Sequence, residues 1–400
     1  MDDVVNLMSR RPPLDQVLAV AGELSAEIIA IAKALHSDPE ISLQEMKSAE
    51  LVSGLLARGG FAVQRGLAGL ESSFCAEWGS GVPSIALIVE MDALPVLGHA
   101  CGHNIIAAAS AGAALILRRL LNEDTARIVV MGTPAEELGI GKIEMIKAGC
   151  FADIDFAMMV HPSSRRQVIK QFLGLAKIRF TFHGKPSHAA AYPEEGINAL
   201  DGVIQTFNAV NAMRQQLRQD VRIHGIITEG GVAPNIIPAR AACYFYVRAD
   251  DLQELEQARE RLKGCAAGAA LATGCRLETE EDPRIIAPLK ILRSFYRVYS
   301  EQVARLGLEE ARTPGDRNKG SSDIGNLSQE LPTIHPHVPI GEGINIHTEG
   351  FAMATVSTRG EEATVEGATL LAMTALELIF SPPLREEIIR EFHEKDNNLY

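Results

Sequence analysis

The sequence predicts an α/β protein, a mostly parallel-sheet domain interrupted by an inserted α+β domain. Three observations predict it. First, three short apolar runs, Ser84–Glu90, Arg127–Gly132 and Asp155–Val160, alternate with helical segments, as strands of a parallel sheet covered on both faces do. Second, Asp92, the pair Glu136 and Glu137, and His161 each stand just past the end of a different run, and Cys101 and His103 follow the first. Ligands of such sheets bind outside the carboxyl ends of the strands. Third, the texture changes near Gly174, and the next stretch reads β-α-β-β-α-β, a split arrangement that folds as an antiparallel sheet with both helices on one face.

Taken in order, Leu18, Ala21, Leu24, Ile28, Ile31 and Leu35 recur at helical spacing, which predicts an amphipathic helix from about Leu14 to His36. Ser37-Asp38-Pro39 ends it. A second helix runs from about Glu45 to Arg58 and stops at Gly59-Gly60. The strand Ser84–Glu90 leads through Met91-Asp-Ala-Leu-Pro95 into a small-residue helix, about Ile105 to Leu117. Strand Arg127–Gly132 carries Thr133-Pro-Ala-Glu-Glu137 in its loop, a helix covers Lys142–Ala148, and strand Asp155–Val160 ends in His161-Pro162. In the insertion, strand Leu175–His183 precedes a helical stripe from Ile197 to Met213. Strands Arg222–Glu229 and Ala241–Arg248, helix Leu252–Thr273 and strand Arg276–Glu281 follow. The first domain then resumes, with Gly320-Ser-Ser-Asp323 and Ile344-Asn-Ile-His347 in it and Glu361–Phe380 as its closing helix. The expected divisions are 1–174, 175–284 and 285–400.

Composition excludes several classes. Four hundred residues exceed one ordinary core, and 46% apolar with 22% charged residues argues against disorder. A formal net charge of −13 argues against nucleic acid as a partner. Six cysteines without a CxxC pair read as reduced thiols of a cytoplasmic protein. The acidic start Met1-Asp2-Asp3 has no signal-peptide pattern, and the run Ile105–Leu117 is too short to span a bilayer. No membrane association is therefore expected.

The chemistry centres on His99-Ala-Cys-Gly-His103. A cysteine and a histidine two apart, at a strand-to-helix corner, can converge on one ion, and Gly102 lets the backbone turn between them. A helix N-terminus also favours the thiolate. Cys101, His103, Glu137, His161 and His347 together supply one thiolate, three imidazoles and one carboxylate. A carboxylate can bridge two ions and leave two terminal ligands for each, the arrangement of two-metal hydrolases. Glu136 cannot readily share the coordination of its neighbour and is free to take a proton from water. Plainer alternatives stand beside each. Cys101 can be a buried structural thiol, Glu136-Glu137 a solvated acidic pair, and His161 a core histidine. His347 can be a surface histidine, with His335 and His337 as nearby rivals. In the insertion, His188 follows a tight turn and can donate to an oxyanion or merely cap that turn. Asn235 lies in a Gly-rich turn. Arg248 ends a strand, where a guanidinium can grip a carboxylate or form a structural ion pair.

As a set these pieces resemble the M20 metallopeptidase family in its amidohydrolase branch. They are Met91-Asp-Ala-Leu-Pro95, His99-Ala-Cys-Gly-His103, Gly132-Thr-Pro-Ala-Glu-Glu137, His161-Pro162, Gly184-Lys-Pro-Ser-His-Ala189, Pro234-Asn-Ile-Ile-Pro238, Gly320-Ser-Ser-Asp323 and His347-Thr348. The form Gly98–Asn104, with His347-Thr-Glu-Gly-Phe351, is most similar to the aminoacylase-like and aminobenzoyl-glutamate hydrolase group. The resemblance implies a dinuclear-metal catalytic domain with a lid that also mediates homodimerisation. Its ligands would be Cys101, His103, Glu137, His161 and His347 around one or two divalent ions, zinc or manganese. Glu136 would be the general base, and Asp92 would orient a ligand. The lid histidine, His188, would reach the partner subunit's site, and Asn235 and Arg248 would hold the carboxylate of a small substrate. Three departures bear on the substrate more than on the metal: Asn104 for a common Asp, Glu90 for Asp and Ser322 for Thr. The implied reaction is hydrolysis of a C–N bond in an N-acyl amino acid or dipeptide-like amide. Hydrolytic deamination of a small acid, aromatic or not, on the same site is the alternative. A non-catalytic metal protein is the reading from another class, against which the spare carboxylate of Glu136 argues.

Overall fold

A computed structural model describes residues 11–311 and 319–397. The chain divides into two compact units. One comprises Met1–Lys170, Lys290–Lys319 and Asn326–Tyr400, the other Gln171–Leu289 and Gly320–Gly325. The chain opens with helices α1 (Leu14–Ser37) and α2 (Met46–Arg58), then strands β1 (Ala62–Arg65), β2 (Phe74–Trp78) and β3 (Ser84–Val89). Helix α3 (His103–Leu120), β4 (Arg127–Gly132), α4 (Gly141–Lys147), β5 (Phe156–Met158) and β6 (His161–Ser163) follow. The second unit supplies β7 (Gly174–His183), α5 (Ala199–Met213), β8 (Arg222–Glu229), β9 (Arg240–Ala249), α6 (Leu252–Thr273) and β10 (Arg276–Glu281). After it come α7 (Arg293–Arg305), α8 (Ile324–Glu330), β11 (Thr333–Ile334), β12 (His337–Pro339), α9 (Glu349–Ala354), α10 (Thr358–Phe380) and α11 (Pro382–Asn397).

The main sheet of the first unit runs β1-β2-β4-β3-β5-β11. The pairs β4–β3, β3–β5 and β5–β11 are parallel, as the apolar runs predict. The pairs β1–β2 and β2–β4 are antiparallel. Strands β1 and β2 escape the sequence pattern because they are four and five residues long with broken apolar content. The run Asp155–Val160 also resolves differently. β5 stops at Met158, and His161 opens the separate strand β6, which pairs in parallel with β12.

Helix α3 is the central element of this unit. Every residue from His103 to Leu117 is buried, which explains its run of alanine, glycine and isoleucine. A Cβ on Gly112 would lie 2.7 Å from Ile28 Cδ1, so glycine lets α1 lie close against α3. Helix α10 packs on α3 as well, with sixteen buried residues. It is long and apolar enough to cross a membrane, but here that apolar surface makes the core. Helix α11 extends the chain beyond the closing helix that the sequence predicts.

The second unit has the sheet order β10-β7-β9-β8, antiparallel throughout. Alternate residues of β7 and β9 (Ile178, Phe180 and Phe182; Cys243, Phe245 and Val247) join one apolar core with Val203, Val210, Leu255 and Leu262 of the two helices. Asn198 and Asp251 cap those helices by accepting backbone N–H groups. The unit also takes in Gly320–Gly325, a stretch that the sequence assigns to the first domain. Its hydrogen bonds give the reason: the Gly320 carbonyl accepts from Leu173 N–H at 2.8 Å, and Ser321 Oγ accepts from Arg248 at 2.7 Å.

Candidate metal centre

The first unit assembles the five candidate ligands from four chain segments. The corner between β3 and α3 carries Cys101 and His103. Gly102 sits there at φ 86, and a Cβ on it would lie 2.2 Å from Pro162 Cγ. Glycine is therefore needed twice, for the left-handed turn and for the approach of this corner to His161-Pro162. Glu136 and Glu137 follow Ala135, a non-glycine residue at φ 58. The buried carboxylate of Glu45 accepts the Ala135 N–H at 2.8 Å and the Ser72 hydroxyl at 2.9 Å, which holds the strained turn in place. His347 is also left-handed, φ 64, and its N–H donates to the Ala100 carbonyl at 2.9 Å.

Three overlapping ligand sets result within the first unit, each with its donor atoms within 4.8 Å of one another. They are Cys101, His103 and His161; Cys101, Glu137 and His347; and His103, Glu136 and Glu137. Sharing of Cys101, His103 and Glu137 among the sets makes them one continuous centre. Glu136 Oε2 lies 3.8 Å from His103 Nε2, and Glu137 Oε1 lies 3.8 Å from His347 Nε2.

The imidazoles are presented for coordination. His103 Nδ1 faces Asp92 Oδ1 at 3.0 Å and the Asp92 carbonyl at 2.7 Å, so Nδ1 is the donor and Nε2 faces the centre. Among the described residues, that buried Nε2 has no hydrogen-bond partner, and neither has buried Glu137 Oε1. His161 donates from Nδ1 to the Pro162 carbonyl at 2.7 Å, which leaves Nε2 3.7 Å from Cys101 Sγ. Asp92 also accepts from Ser42 Oγ at 2.7 Å and Glu137 N–H at 3.0 Å, so one carboxylate orients both His103 and the acidic turn.

Charge follows from this packing. Burial opposes ionisation of Asp92, yet His103, Ser42 and the Glu137 amide hold its carboxyl well below the usual range. Burial alone would depress His103, but Cys101 and Asp92 outweigh it and hold the imidazole above its ordinary value. Burial, with His103 adding to it, pushes His161 down to about 4. Burial raises the Cys101 thiol well above its usual range. A cation in the centre reverses that last preference, since coordination deprotonates a thiol outright.

The rivals of His347 lie in the same neighbourhood. His337 is the register partner of His161 in the β6–β12 ladder, and its ring stacks on His161 at 5.1 Å and 17°. The His335 ring meets His161 edge-on at 5.5 Å. Three positions carry no signal in the local sequence: Ser42, Glu45 and Lys142. The last is wholly buried, with Nζ 2.6 Å from Glu90 Oε1.

The second unit places its candidates in two groups. His188 Nδ1 accepts from the N–H groups of Ala190 and Ala191 at 3.3 and 3.2 Å, which leaves Nε2–H as the outward donor. The His188 turn is tied to the Asn235 turn through Ala189 N–H to the Asn235 carbonyl at 3.0 Å. Arg248 stands near the far end of β9, eight residues past Arg240, or about 26 Å along an extended strand. Within one chain, a single small carboxylate cannot touch both Asn235 and Arg248.

Comparison with known proteins agrees with this architecture. Residues 172–273 match the M20 peptidase dimerisation domain. Over 92% of this chain and 90% of the relative, the sequence is 38% identical to a Xaa-Arg dipeptidase of Mus musculus. It is 31% identical to a p-aminobenzoyl-glutamate hydrolase subunit of Escherichia coli K12, over 63% of this chain and 57% of that protein. A dinuclear metal-binding M20 peptidase of Bacillus subtilis shares the fold with a TM-score of 0.73 at 19% identity, covering 90% of this chain and 99% of that one.

Proposed function

We propose, for a chain that belongs to the M20 family of metal-dependent amide hydrolases, that its reaction is hydrolysis of the amide bond in a small N-acyl amino acid or dipeptide. One observation carries the proposal: three ligand sets overlap through Cys101, His103 and Glu137, and a second carboxylate, Glu136, stands beside Glu137. The donor set fits divalent ions. Among the described residues, two buried ligand atoms, His103 Nε2 and Glu137 Oε1, have no hydrogen-bond partner, and thiolate, imidazole and carboxylate together suit zinc or manganese. Cys101, His103, Glu137, His161 and His347 would hold one or two ions. Such ions polarise a carbonyl and lower the pKa of water.

The chain's own groups do the rest. Glu136 accepts the proton of the attacking water and passes it to the leaving nitrogen. Asp92 keeps the proton of His103 on Nδ1. His188 of the partner subunit donates from Nε2 to the developing oxyanion in a homodimer formed through the second unit, and Asn235 travels with it. Arg248 holds the substrate's carboxylate. Six free thiols suit a cytoplasmic enzyme.

A panel of N-acyl amino acids and dipeptides, assayed with zinc or manganese, tests this. Activity should vanish with a chelator and return with added metal. Full activity in rigorously metal-free protein refutes the proposal.

A further inference from the structure

Glu90 is the first residue past β3, at the carboxyl end of a parallel strand. Thr133 fixes the backbone from which it projects, donating its N–H and its hydroxyl to the Val89 carbonyl at 2.8 and 3.0 Å. Lys142 comes to the same place from α4. A Cβ on Gly141 would lie 1.8 Å from the Pro134 carbonyl oxygen. Glycine there lets α4 start against the turn that carries Glu136 and Glu137, and the next residue, Lys142, enters the interior. Both Glu90 and Lys142 are buried.

The two oxygens of Glu90 have different neighbours. Oε1 accepts from Lys142 Nζ at 2.6 Å. Oε2 lies 3.5 Å from His103 Nε2, the nitrogen that faces the centre. That contact is too long for a charge-assisted hydrogen bond, which closes to about 2.7–2.9 Å. Among the described residues, His103 Nε2 has no hydrogen-bond partner. The spacing has another meaning. Nitrogen and oxygen donors bind zinc at about 2.0–2.2 Å, so two of them at tetrahedral angles on one ion stand about 3.3–3.6 Å apart. Glu90 and Glu136 also bring carboxylate oxygens within 4.8 Å of each other, which places Glu90 in the wall of the same centre.

Stability does not account for the buried pair, since apolar groups of similar volume often serve as well or better. Buried charges are retained where they are paired or where they coordinate a metal, and Glu90 is set up for both. We propose that Glu90 is a sixth protein ligand of the centre, giving Oε2 to the ion that His103 holds. Lys142 is its positioning residue: it takes Oε1, offsets the carboxylate's charge and leaves Oε2 on the side of His103. The proposal rests on the metal-centre reading above and adds a donor to the five named there.

Cobalt(II) is the probe, because its visible ligand-field band reports the number and type of donors. The full-length protein is stripped with a chelator and titrated with Co²⁺, and affinity is read by competition against a chromophoric chelator. Glu90→Gln keeps a carbonyl for Lys142 and puts an amide nitrogen, a donor only, in place of Oε2. Its Co²⁺ affinity should fall by about 100-fold or more, against about 10–100-fold for loss of a supporting group, and its ligand-field band should change in position and intensity. Glu90→Gln with Lys142→Met should show the same two changes, and it replaces the single variant if the buried lysine then prevents folding. Trp78 fluorescence checks the fold of each variant before titration. Unchanged affinity in a folded variant overturns the proposal and leaves a structural ion pair. Weaker binding with an unchanged band also overturns it and makes Glu90 a supporting group. If the unaltered protein binds no Co²⁺, the metal-centre reading falls together with this one, whereas binding that both variants retain removes the role of Glu90 alone.

Discussion

Replacing Lys142 by methionine keeps the length of the side chain and removes its charge. In the native protein Lys142 is wholly buried, Glu90 is 1% exposed, and their charged atoms lie 2.6 Å apart. Removing one partner of a buried pair costs about 3–5 kcal/mol, because the other charge is left in a poor medium. Native stability is typically only about 5–15 kcal/mol, so the effect is large. Glu90→Gln with Lys142→Met removes both charges. That double variant should recover at least half of the loss, since replacing a whole buried pair is often near neutral. The assay has a natural reporter. The only tryptophan, Trp78, is buried in β2 of the first unit's sheet, so its fluorescence follows urea unfolding of that unit. A chelator keeps metal linkage out of the comparison. With a slope of about 3 kcal/mol per molar urea, the single variant's midpoint should fall by about 1–1.7 M. A fall below about 0.3 M, or equal losses in the single and double variants, would show that the pair does not behave as a desolvated ion pair.

Other predictions address the centre and the second unit. Glu136→Gln should lower kcat by a factor of about 10² or more with metal content unchanged, whereas Glu137→Gln should lower metal content. Metal loss in the first variant instead would exchange the two roles. Inactive His188→Ala and Glu136→Gln chains, mixed and allowed to exchange, should regain activity, because one site of each mixed dimer has neither defect. Demonstrated exchange without activity would confine His188 to its own chain or to its turn. In metal-free protein, stability should fall as pH drops from about 6.5 to about 4. Burial holds the native pKa of His99 at about 3 and of His161 at about 4, and lowers that of His335 well below its ordinary value. The unfolded chain therefore binds more protons in this window, at about 1.4 kcal/mol per pH unit for each fully differing group. His103 has the opposite sign. Its native pKa is raised, so it is protonated in both states below about 6.5 and its stabilising share is lost only as pH rises above that. A urea midpoint that stays flat from pH 6.5 to 4 would contradict the buried, neutral histidines.

The candidate ligands are legible in the sequence because each is placed by a local signal: an apolar strand that ends, a glycine that turns, a proline that follows. The same signals mark the parallel core of the sheet. The contacts that hold the ligands are not legible, because they join segments far apart in the chain. Ala135 donates to Glu45 across 90 positions, Ser42 to Asp92 across 50, and Lys142 to Glu90 across 52. Glu45 reads in sequence as an ordinary residue at a helix start, and Lys142 as a solvated lysine on a short amphipathic turn. Only the fold reveals that both are buried against the metal centre's turns. His337 is a middle case. It is visible as a rival ligand, but the parallel ladder that stacks it on His161 depends on a three-residue strand too short to show a period.

The motifs of the second unit show how sequence proximity can mislead. His188, Asn235 and Arg248 belong to one small unit, and all three suit recognition of a carboxylate or an oxyanion. Backbone geometry divides them. The turns of His188 and Asn235 are bonded to each other, and β9 carries the chain away from them before Arg248 is reached. A substrate no larger than a dipeptide cannot bridge that strand. If both groups act on one substrate, they must come from two copies of the chain. The His188 pair then completes the partner's site, while Arg248 serves the other site in which its own chain takes part. The mixed-dimer experiment thus probes one end of that sheet, and demonstrated exchange without activity would leave Arg248, at the other end, as the group of this unit that recognises substrate.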